Sequence, residues 1–96
     1  MRQTFKIKGV YYEKERRNLS KAVKKGDVLE LERQYENEHD PYAILIKFKG
    51  GELGFVPREL AKMISLNMDL QVKKFKANVL DINSLEDYSE ILVEVK

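Results

Sequence analysis

Residues 43–56 carry the sequence AILIKFKGGELGFV, in which two apolar segments flank a pair of glycines. The first segment, residues 43–48, is apolar at nearly every position, which indicates a densely packed strand. Gly50 and Gly51 favour a tight turn, because glycine adopts the positive φ angles of short hairpin turns without steric cost. The stretch therefore predicts a β-hairpin whose second strand covers residues 53–56.

Four further segments alternate apolar and polar residues with period two, which predicts strands with one solvated face. These segments are residues 4–10, 28–35, 72–82 and 88–95. In the third of them the apolar positions change register after Val79, which predicts a β-bulge. Together with the hairpin they give about six strands, and short turns join the neighbours in sequence.

Two short helices interrupt the predicted strands. The first covers residues 17–25, because Asn18 suits an N-cap and Gly26 suits the position after the last helical residue. The second begins at Pro57 and runs to about Met68, since proline is favoured at the start of a helix. Its predicted apolar face consists of Leu60, Met63, Ile64 and Met68.

A sheet with one apolar face must close on itself or pack against helices. We therefore expect a mainly β fold, a small, partly open six-stranded antiparallel barrel with two short α-helices. The 96 residues form one predicted domain, residues 1–96, near the common size for a unit that folds independently. The predicted core consists of Phe5, Ile7, Leu29, Leu31, Ile44, Ile46, Ile64, Phe75, Val79 and Val93.

The composition excludes several kinds of function. There is no cysteine, and His39 is the single histidine, so disulfides, cysteine nucleophiles and an ordinary zinc site cannot be built. No Gly-x-Ser-x-Gly motif accompanies the histidine. We expect a protein that binds rather than catalyses and uses no cofactor or metal. With no long apolar run and no signal peptide, it is expected in the cytoplasm and not in a membrane.

Charge is segregated along the chain, although the net charge is only +2. Residues 1–25 hold nine lysines and arginines against two glutamates, whereas residues 26–46 hold one arginine against six acidic residues. Such blocks are compatible with a basic face for a nucleic-acid backbone. On charge alone, a solvated surface on which opposite patches cancel is favoured, because the net excess is far below that of a strongly basic domain.

The polar loop before the central hairpin is crowded with rings and hydrogen-bonding groups. Asn37, Asp40 and Pro41 are accounted for by turn formation, since short polar side chains cap local backbone and proline fixes φ. His39 and Tyr42 do not follow from turn chemistry. Planar rings beside a carboxylate suit a site that stacks a base and hydrogen-bonds a sugar hydroxyl.

The motifs of the chain resemble, in their order, those of the HIRAN domain family. The resemblance is carried by Gly9-Val10-Tyr11-Tyr12, by Gly26-Asp27-Val28-Leu29-Glu30-Leu31, by Arg33 followed by Asn37-x-His39-Asp40-x-x-Ala43-Ile44, and by Leu53-Gly54-Phe55-Val56-Pro57-Arg58-x-x-Ala61. It spans roughly residues 4–82. It implies a modified oligonucleotide-binding barrel that binds DNA in repair or replication-fork processing, and here a stand-alone, bacterial-type protein.

The resemblance also implies a site for the free 3′-hydroxyl end of single-stranded DNA. Asp40 matches the aspartate that accepts the terminal hydroxyl, and an ionised carboxylate there would repel a 3′-phosphate. Tyr12 matches an aromatic that stacks on a base, and His39 takes a position often held by tyrosine. Arg58 matches a basic residue that meets backbone phosphate.

Two more candidates differ from the family pattern. Tyr11 stands where the fork-remodelling members have arginine, and Tyr42 stands where the family usually has asparagine. Judged by charge alone, Lys6, Lys8 and Lys62 would add to a field that attracts phosphate.

Two other functions also fit the sequence. A protein-interaction module would dock on a DNA-processing partner through Tyr11, Tyr12, Tyr35 and Tyr42. A metal-dependent hydrolase would use Glu38 and Asp40, although nothing sets a second carboxylate cluster beside them.

Overall fold

A computed structural model describes residues 2–70 and 74–96. Within these ranges the elements are β1 (Gln3–Lys6), α1 (Lys14–Ser20), β2 (Val28–Arg33), β3 (Ile44–Phe48), β4 (Gly51–Phe55), α2 (Arg58–Asp69), β5 (Ala77–Ser84) and β6 (Ser89–Val95). The strands form one antiparallel sheet in the order β1-β6-β5-β2-β3-β4. The predicted mainly β class, with six strands and two helices, is confirmed.

The sheet curls until its two edge strands meet. Lys8, just beyond β1, donates its backbone N–H to the Phe55 carbonyl over 2.9 Å and accepts the Phe55 N–H over 2.8 Å. Gly54 permits this approach, because a Cβ atom on it would lie 2.2 Å from the Lys8 carbonyl oxygen. Its φ of +155° also favours glycine. The result is the partly open barrel predicted from the sequence.

The central hairpin has its turn one residue earlier than predicted. Lys49 and Gly50 form the turn, with φ angles of +49° and +83°. Gly51, predicted to lie in the turn, is instead the first residue of β4. A Cβ atom on Gly51 would lie 2.7 Å from Leu19 Cδ2, so the absence of a side chain makes room for α1.

The prediction for the first helix was wrong at both ends. α1 begins at Lys14, preceded by Glu13 in an extended conformation without a side-chain capping bond, and Asn18 lies inside the helix. Gly26 lies in the later turn to β2 rather than directly behind the helix. Ser20 ties α1 to β6, because its Oγ accepts the Ser89 N–H over 3.0 Å. Tertiary contacts therefore position this short helix, as is usual for helices of this length.

The second helix agrees with its prediction. α2 follows Pro57 and ends at Asp69, and it buries Ala61, Ile64 and Ser65. Met63, predicted on the apolar face, is instead exposed, because the inner face is centred on Ile64.

The first and fifth strands are shorter than predicted. β1 ends at Lys6, because the chain then turns to meet β4. The predicted strand over residues 72–82 includes residues 72 and 73, which lie outside the described ranges. Within the described residues, β5 begins at Ala77. The predicted bulge is confirmed by a register shift between Val79 and Asp81.

The hydrophobic core joins residues of every described strand to Val23, Ala61 and Ile64. Eight of the ten predicted core residues are buried, and Leu31 and Phe75 are partly buried against the same cluster. Neither α1 nor α2, the helices in the described ranges, is long and apolar enough to cross a membrane.

Candidate nucleic-acid interface

The loop between β2 and β3 is folded around two side-chain acceptors. Asn37 Oδ1 accepts the backbone N–H of His39 over 2.9 Å and that of Asp40 over 3.1 Å. Asp40 Oδ1 in turn accepts the Tyr42 N–H over 2.9 Å. These bonds, typical of Asx turns, fix the Asp40 side chain by one carboxylate oxygen and leave Oδ2 outside the turn.

Arg58, the first residue of α2, lies against this loop. Its Nη2 donates to the His39 carbonyl over 2.8 Å, and its Nε lies 3.7 Å from Asp40 Oδ2. The Arg58 side chain remains 72% exposed, whereas that of Asp40 is 18% exposed. Arg58 therefore brings a solvent-accessible positive charge to a loop that is acidic in sequence.

Arg33 and Ser65 anchor the loop from outside. Arg33 Nη1 donates to the Ala43 carbonyl over 3.0 Å, and Nη2 donates to the Pro41 carbonyl over 3.1 Å. The Ser65 hydroxyl donates to the carbonyl of Tyr42 between them. Three successive carbonyls behind Asp40 are thus held by side chains of β2 and α2, which preorganises the carboxylate.

The anchor extends to the end of α2. Arg33 Nε and Nη2 donate to the two carboxylate oxygens of Asp69 over 3.0 and 3.1 Å, and the Tyr35 hydroxyl donates to Oδ1 over 2.7 Å. The hydrogen bonds from Arg33, followed by that from Tyr35, hold the pKa of Asp69 below its usual value. The bond to Asp69 is the main cause that raises the pKa of Tyr35.

A groove of about 660 Å³ opens beside Asp40. It is lined by Lys8, Glu13, Arg16, Asn37, His39, Asp40, Ala43, Phe55, Val56, Arg58 and Glu59. Lys8 and Phe55 come together at this place through the closure of the barrel, and α1 supplies Arg16. Three cationic side chains and three carboxylates share the lining, so its charge is balanced rather than acidic.

Arg16 is held tightly at the wall of this groove. Its guanidinium lies 5.3 Å from the centroid of the Phe55 ring, within the range of cation–π contact. It also pairs with Glu13 over 3.0 Å and with Glu52 over 3.3 Å. The side chain is only 13% exposed, so Arg16 contributes chiefly a fixed charge and an orientation for Phe55.

A second, smaller pocket of about 220 Å³ adjoins the groove through Lys8, which lines both. Tyr11, Tyr12 and Tyr88 form its aromatic part. Tyr12 is 84% exposed and Tyr11 is 52% exposed, and Tyr11 makes edge contacts with both other rings at centroid distances of 5.9 and 5.5 Å. We call this the tyrosine pocket.

The structure distributes the predicted site residues over two adjoining surfaces. His39, Asp40 and Arg58 line the groove, and Tyr11 and Tyr12 line the tyrosine pocket. In the part of the chain that the structure describes, Tyr42 lines neither surface, and its ring lies 5.4 Å from Lys62 Nζ.

Phe55 and Arg16 of the groove wall were not among the predicted site residues. Phe55 stood inside the Leu-Gly-Phe-Val-Pro motif, which was a usable signal. Arg16 carried no signal beyond its place in a basic segment, because its partner Phe55 is distant in sequence.

The model of the HIRAN domain family matches residues 2–96. The chain belongs to the HIRAN domain family. HIRAN domains are DNA-binding modules and are not catalytic by themselves. A comparison with curated protein sequences gives no significant match.

Two solved structures share the HIRAN fold of this chain. The crystal structure of the HIRAN domain of human HLTF has a TM-score of 0.78 and 18% identity, covering 98% of this chain and 72% of that one. The crystal structure of a protein from Lactobacillus plantarum has a TM-score of 0.77 and 19% identity, and the match covers 97% of this chain and 91% of that one. At these identities the likeness shows the fold alone.

The hydrolase alternative requires a metal site near Asp40. Among residues 2–70 and 74–96, no three histidine, aspartate or glutamate side chains are grouped so as to hold a metal ion.

Proposed function

We propose that this HIRAN domain binds single-stranded DNA by holding a free 3′-hydroxyl end in the groove beside Asp40, as part of DNA repair or replication-fork processing. The observation that carries the proposal is the placement of the Asp40 carboxylate. It is fixed in a groove, next to cationic side chains and exposed rings, on a domain of a DNA-binding family.

The carboxylate of Asp40 has capacity left for a ligand. Oδ1 is used by the Tyr42 N–H, whereas among the described residues the one partner of Oδ2 is Arg58, in an ion-pair contact of 3.7 Å. An ionised carboxylate accepts hydrogen bonds and donates none, so it accepts a terminal hydroxyl and repels a terminal phosphate. Discrimination between the two ends thus comes from attraction to one and repulsion of the other.

The groove and the tyrosine pocket also offer rings for the bases and cations for the phosphates of a DNA end. Exposed rings are available for stacking on bases at His39 in the groove and at Tyr12 in the tyrosine pocket. Lys8 and Arg58 offer cations to the phosphates between these bases. Lys8 is shared by both surfaces, so it stands where a strand passing between them would run.

The test compares two labelled oligonucleotides that differ only in the 3′ group, hydroxyl or phosphate, by fluorescence anisotropy at low salt. Asp40→Asn is the informative variant, because its amide oxygen still accepts the Tyr42 N–H while the negative charge is lost. Asp81→Asn is the matched control, since Asp81 lies on β5 and, in the ranges that the structure describes, its carboxylate accepts a hydrogen bond from the N–H of Ile82 alone.

Wild type and Asp81→Asn are expected to prefer the hydroxyl end, and Asp40→Asn is expected to lose that preference. Asp40→Ala is expected to bind the hydroxyl end markedly more weakly than wild type. Equal binding of the two ends by wild type, or no binding at low salt, would refute the proposal.

A protein-interaction module is the second candidate, favoured by the exposure of Tyr11, Tyr12 and Tyr35. Exposed tyrosines are common anchors of protein interfaces. If this function is correct, the domain should bind a DNA-processing protein with an affinity that does not depend on salt and that is unchanged in Asp40→Ala.

A further inference from the structure

Close to α1 lies a set of cations that the groove does not use. Lys14 and Arg17 belong to α1 and Lys21 is its C-cap residue, at spacings of three and four residues that place them on one side of the helix. Lys24 follows three residues later, in the segment before β2, and is counted with them. We call this set the α1 stripe. Leu19 and Ser20 of α1, and Val23 in the segment after it, pack inward.

The backbone beyond α1 keeps the stripe together. The N–H groups of Lys21, Ala22 and Val23 donate to carbonyls three residues earlier, over 3.0 to 3.3 Å, so the helical turn continues past Ser20. Asp27 Oδ2 then accepts the Lys24 N–H over 2.8 Å and fixes the end of the turn.

The lysines of the stripe are exposed. Within residues 2–70 and 74–96, no carboxylate lies within 4.0 Å of the ammonium groups of Lys14, Lys21 or Lys24. This holds for the acidic residues close by in sequence or fold, namely Glu13, Glu15, Asp27, Glu86 and Asp87. By contrast, Lys6, Arg16 and Arg58 are each paired with a carboxylate.

Arg17 joins the stripe to the tyrosine pocket. Its guanidinium donates to the Tyr11 carbonyl and lies 5.6 Å from the centroid of the Tyr11 ring. The groove, Lys8, the tyrosine pocket, Arg17 and the stripe therefore form a continuous sequence of surfaces. A strand whose 3′ end occupies the groove must leave it in the 5′ direction, and these surfaces offer an exit.

We propose that the α1 stripe is a second DNA contact surface, which binds the sugar–phosphate backbone of the nucleotides on the 5′ side of the held end. This inference rests on the proposed function. The stripe presents cations and no exposed ring, so it binds phosphates without regard to base, and its contribution depends on strand length and salt.

The experiment measures anisotropy over a salt series with two 3′-hydroxyl oligothymidines, one of about four nucleotides and one of about sixteen, the span of site sizes in OB-type folds. The stripe variant combines Lys14→Gln, Lys21→Gln and Lys24→Gln and keeps Arg17, because Arg17 supports Tyr11. The control variant combines Lys49→Gln, Lys74→Gln and Lys76→Gln, which removes the same charge outside both pockets.

Wild type is expected to bind the long strand more tightly and with a steeper salt dependence than the short one. Loss of three phosphate contacts at about 0.7 each lowers the slope of log K against log salt by about 2 for the long strand. The short strand is expected to bind equally well to the stripe variant and to wild type. The control variant is expected to keep the wild-type slope on both strands.

Two results would overturn the inference while leaving the proposed function intact. One is a stripe variant that binds the long strand with the wild-type slope. The other is an equal loss in the stripe and control variants, which would assign the effect to net charge. If the short 3′-hydroxyl strand does not bind wild type at all, the proposed function itself fails, and with it this inference.

Discussion

Gly54→Ala tests the contact that closes the barrel, between β4 and the backbone of Lys8. A Cβ atom at this position would lie 2.2 Å from the Lys8 carbonyl oxygen and 2.8 Å from Ile7 Cγ2. The first of these neighbours is backbone, so it cannot rotate away. The contact between β4 and the segment after β1 must open, and both hydrogen bonds between Lys8 and Phe55 are lost.

The expected cost follows from two contributions. A non-glycine residue at a φ of +155° is strained by about 2 kcal/mol, and two lost backbone hydrogen bonds contribute about 1 kcal/mol each. Gly54→Ala should therefore reduce the free energy of unfolding by about 4 kcal/mol. For a domain of this size, that lowers Tm by about 20 °C.

Gly50→Ala is the matched control. Gly50 also has a positive φ, +83°, but no atom of residues 2–70 or 74–96 outside its immediate chain neighbours lies within 4 Å of the position that its Cβ atom would occupy. Strain alone should cost about 1–2 kcal/mol. Urea unfolding followed by circular dichroism measures both variants. Equal losses of stability in the two variants would refute the close approach of Gly54 to the Lys8 backbone.

Three further predictions concern side chains around the site. Arg58→Gln should weaken binding of single-stranded DNA and lower the salt slope by about 0.7, while the free energy of unfolding changes by less than about 0.5 kcal/mol, as anisotropy and urea titration would show. Tyr12→Ala should weaken DNA binding by about 1–3 kcal/mol for the loss of one stacked base, and unchanged affinity would remove Tyr12 from the interface. Asp69→Asn should lower the urea midpoint near pH 7. Arg33 holds the pKa of Asp69 below its usual value, so the ionised carboxylate stabilises the fold above the unfolded-state pKa, and this stabilisation is lost as pH falls through the lowered pKa. The difference in urea midpoint between Asp69→Asn and wild type should therefore shrink below about pH 4. A midpoint difference that stays constant with pH would show that the ion pair between Arg33 and Asp69 does not stabilise the fold.

Local sequence patterns were sufficient for the existence of the hairpin of β3 and β4, though not for its turn residues, and for α2 and the bulge in β5. Each depends on residues close together in the chain, such as Pro57 at a helix start or the register change after Val79. α1 was misplaced, because Asn18 has the chemistry of a cap while the true start at Glu13 has no side-chain cap. Contacts with Gly51 and Ser89, far along the chain, determine where that helix lies.

The candidate site was predictable in part for the same reason. Asn37, His39 and Asp40 form one local turn, so their cluster was visible in the sequence. The groove itself was not, since Lys8 and Phe55 meet only when the barrel closes. The anchor between Arg33 and Asp69 is equally hidden, because 36 residues separate the two side chains.

Amide chemical-shift mapping shows where on the domain a 3′-hydroxyl end binds, and it is expected to place that end beside Asp40. Titration with a short 3′-hydroxyl oligonucleotide should shift the N–H signals of His39, Asp40 and Tyr42 most strongly, followed by those of Lys8 and Phe55, which line the groove. The 3′-phosphorylated strand should produce smaller shifts at the same positions. Shifts that cluster away from the groove, or that are the same for both strands, would rule out recognition of the 3′ end by Asp40.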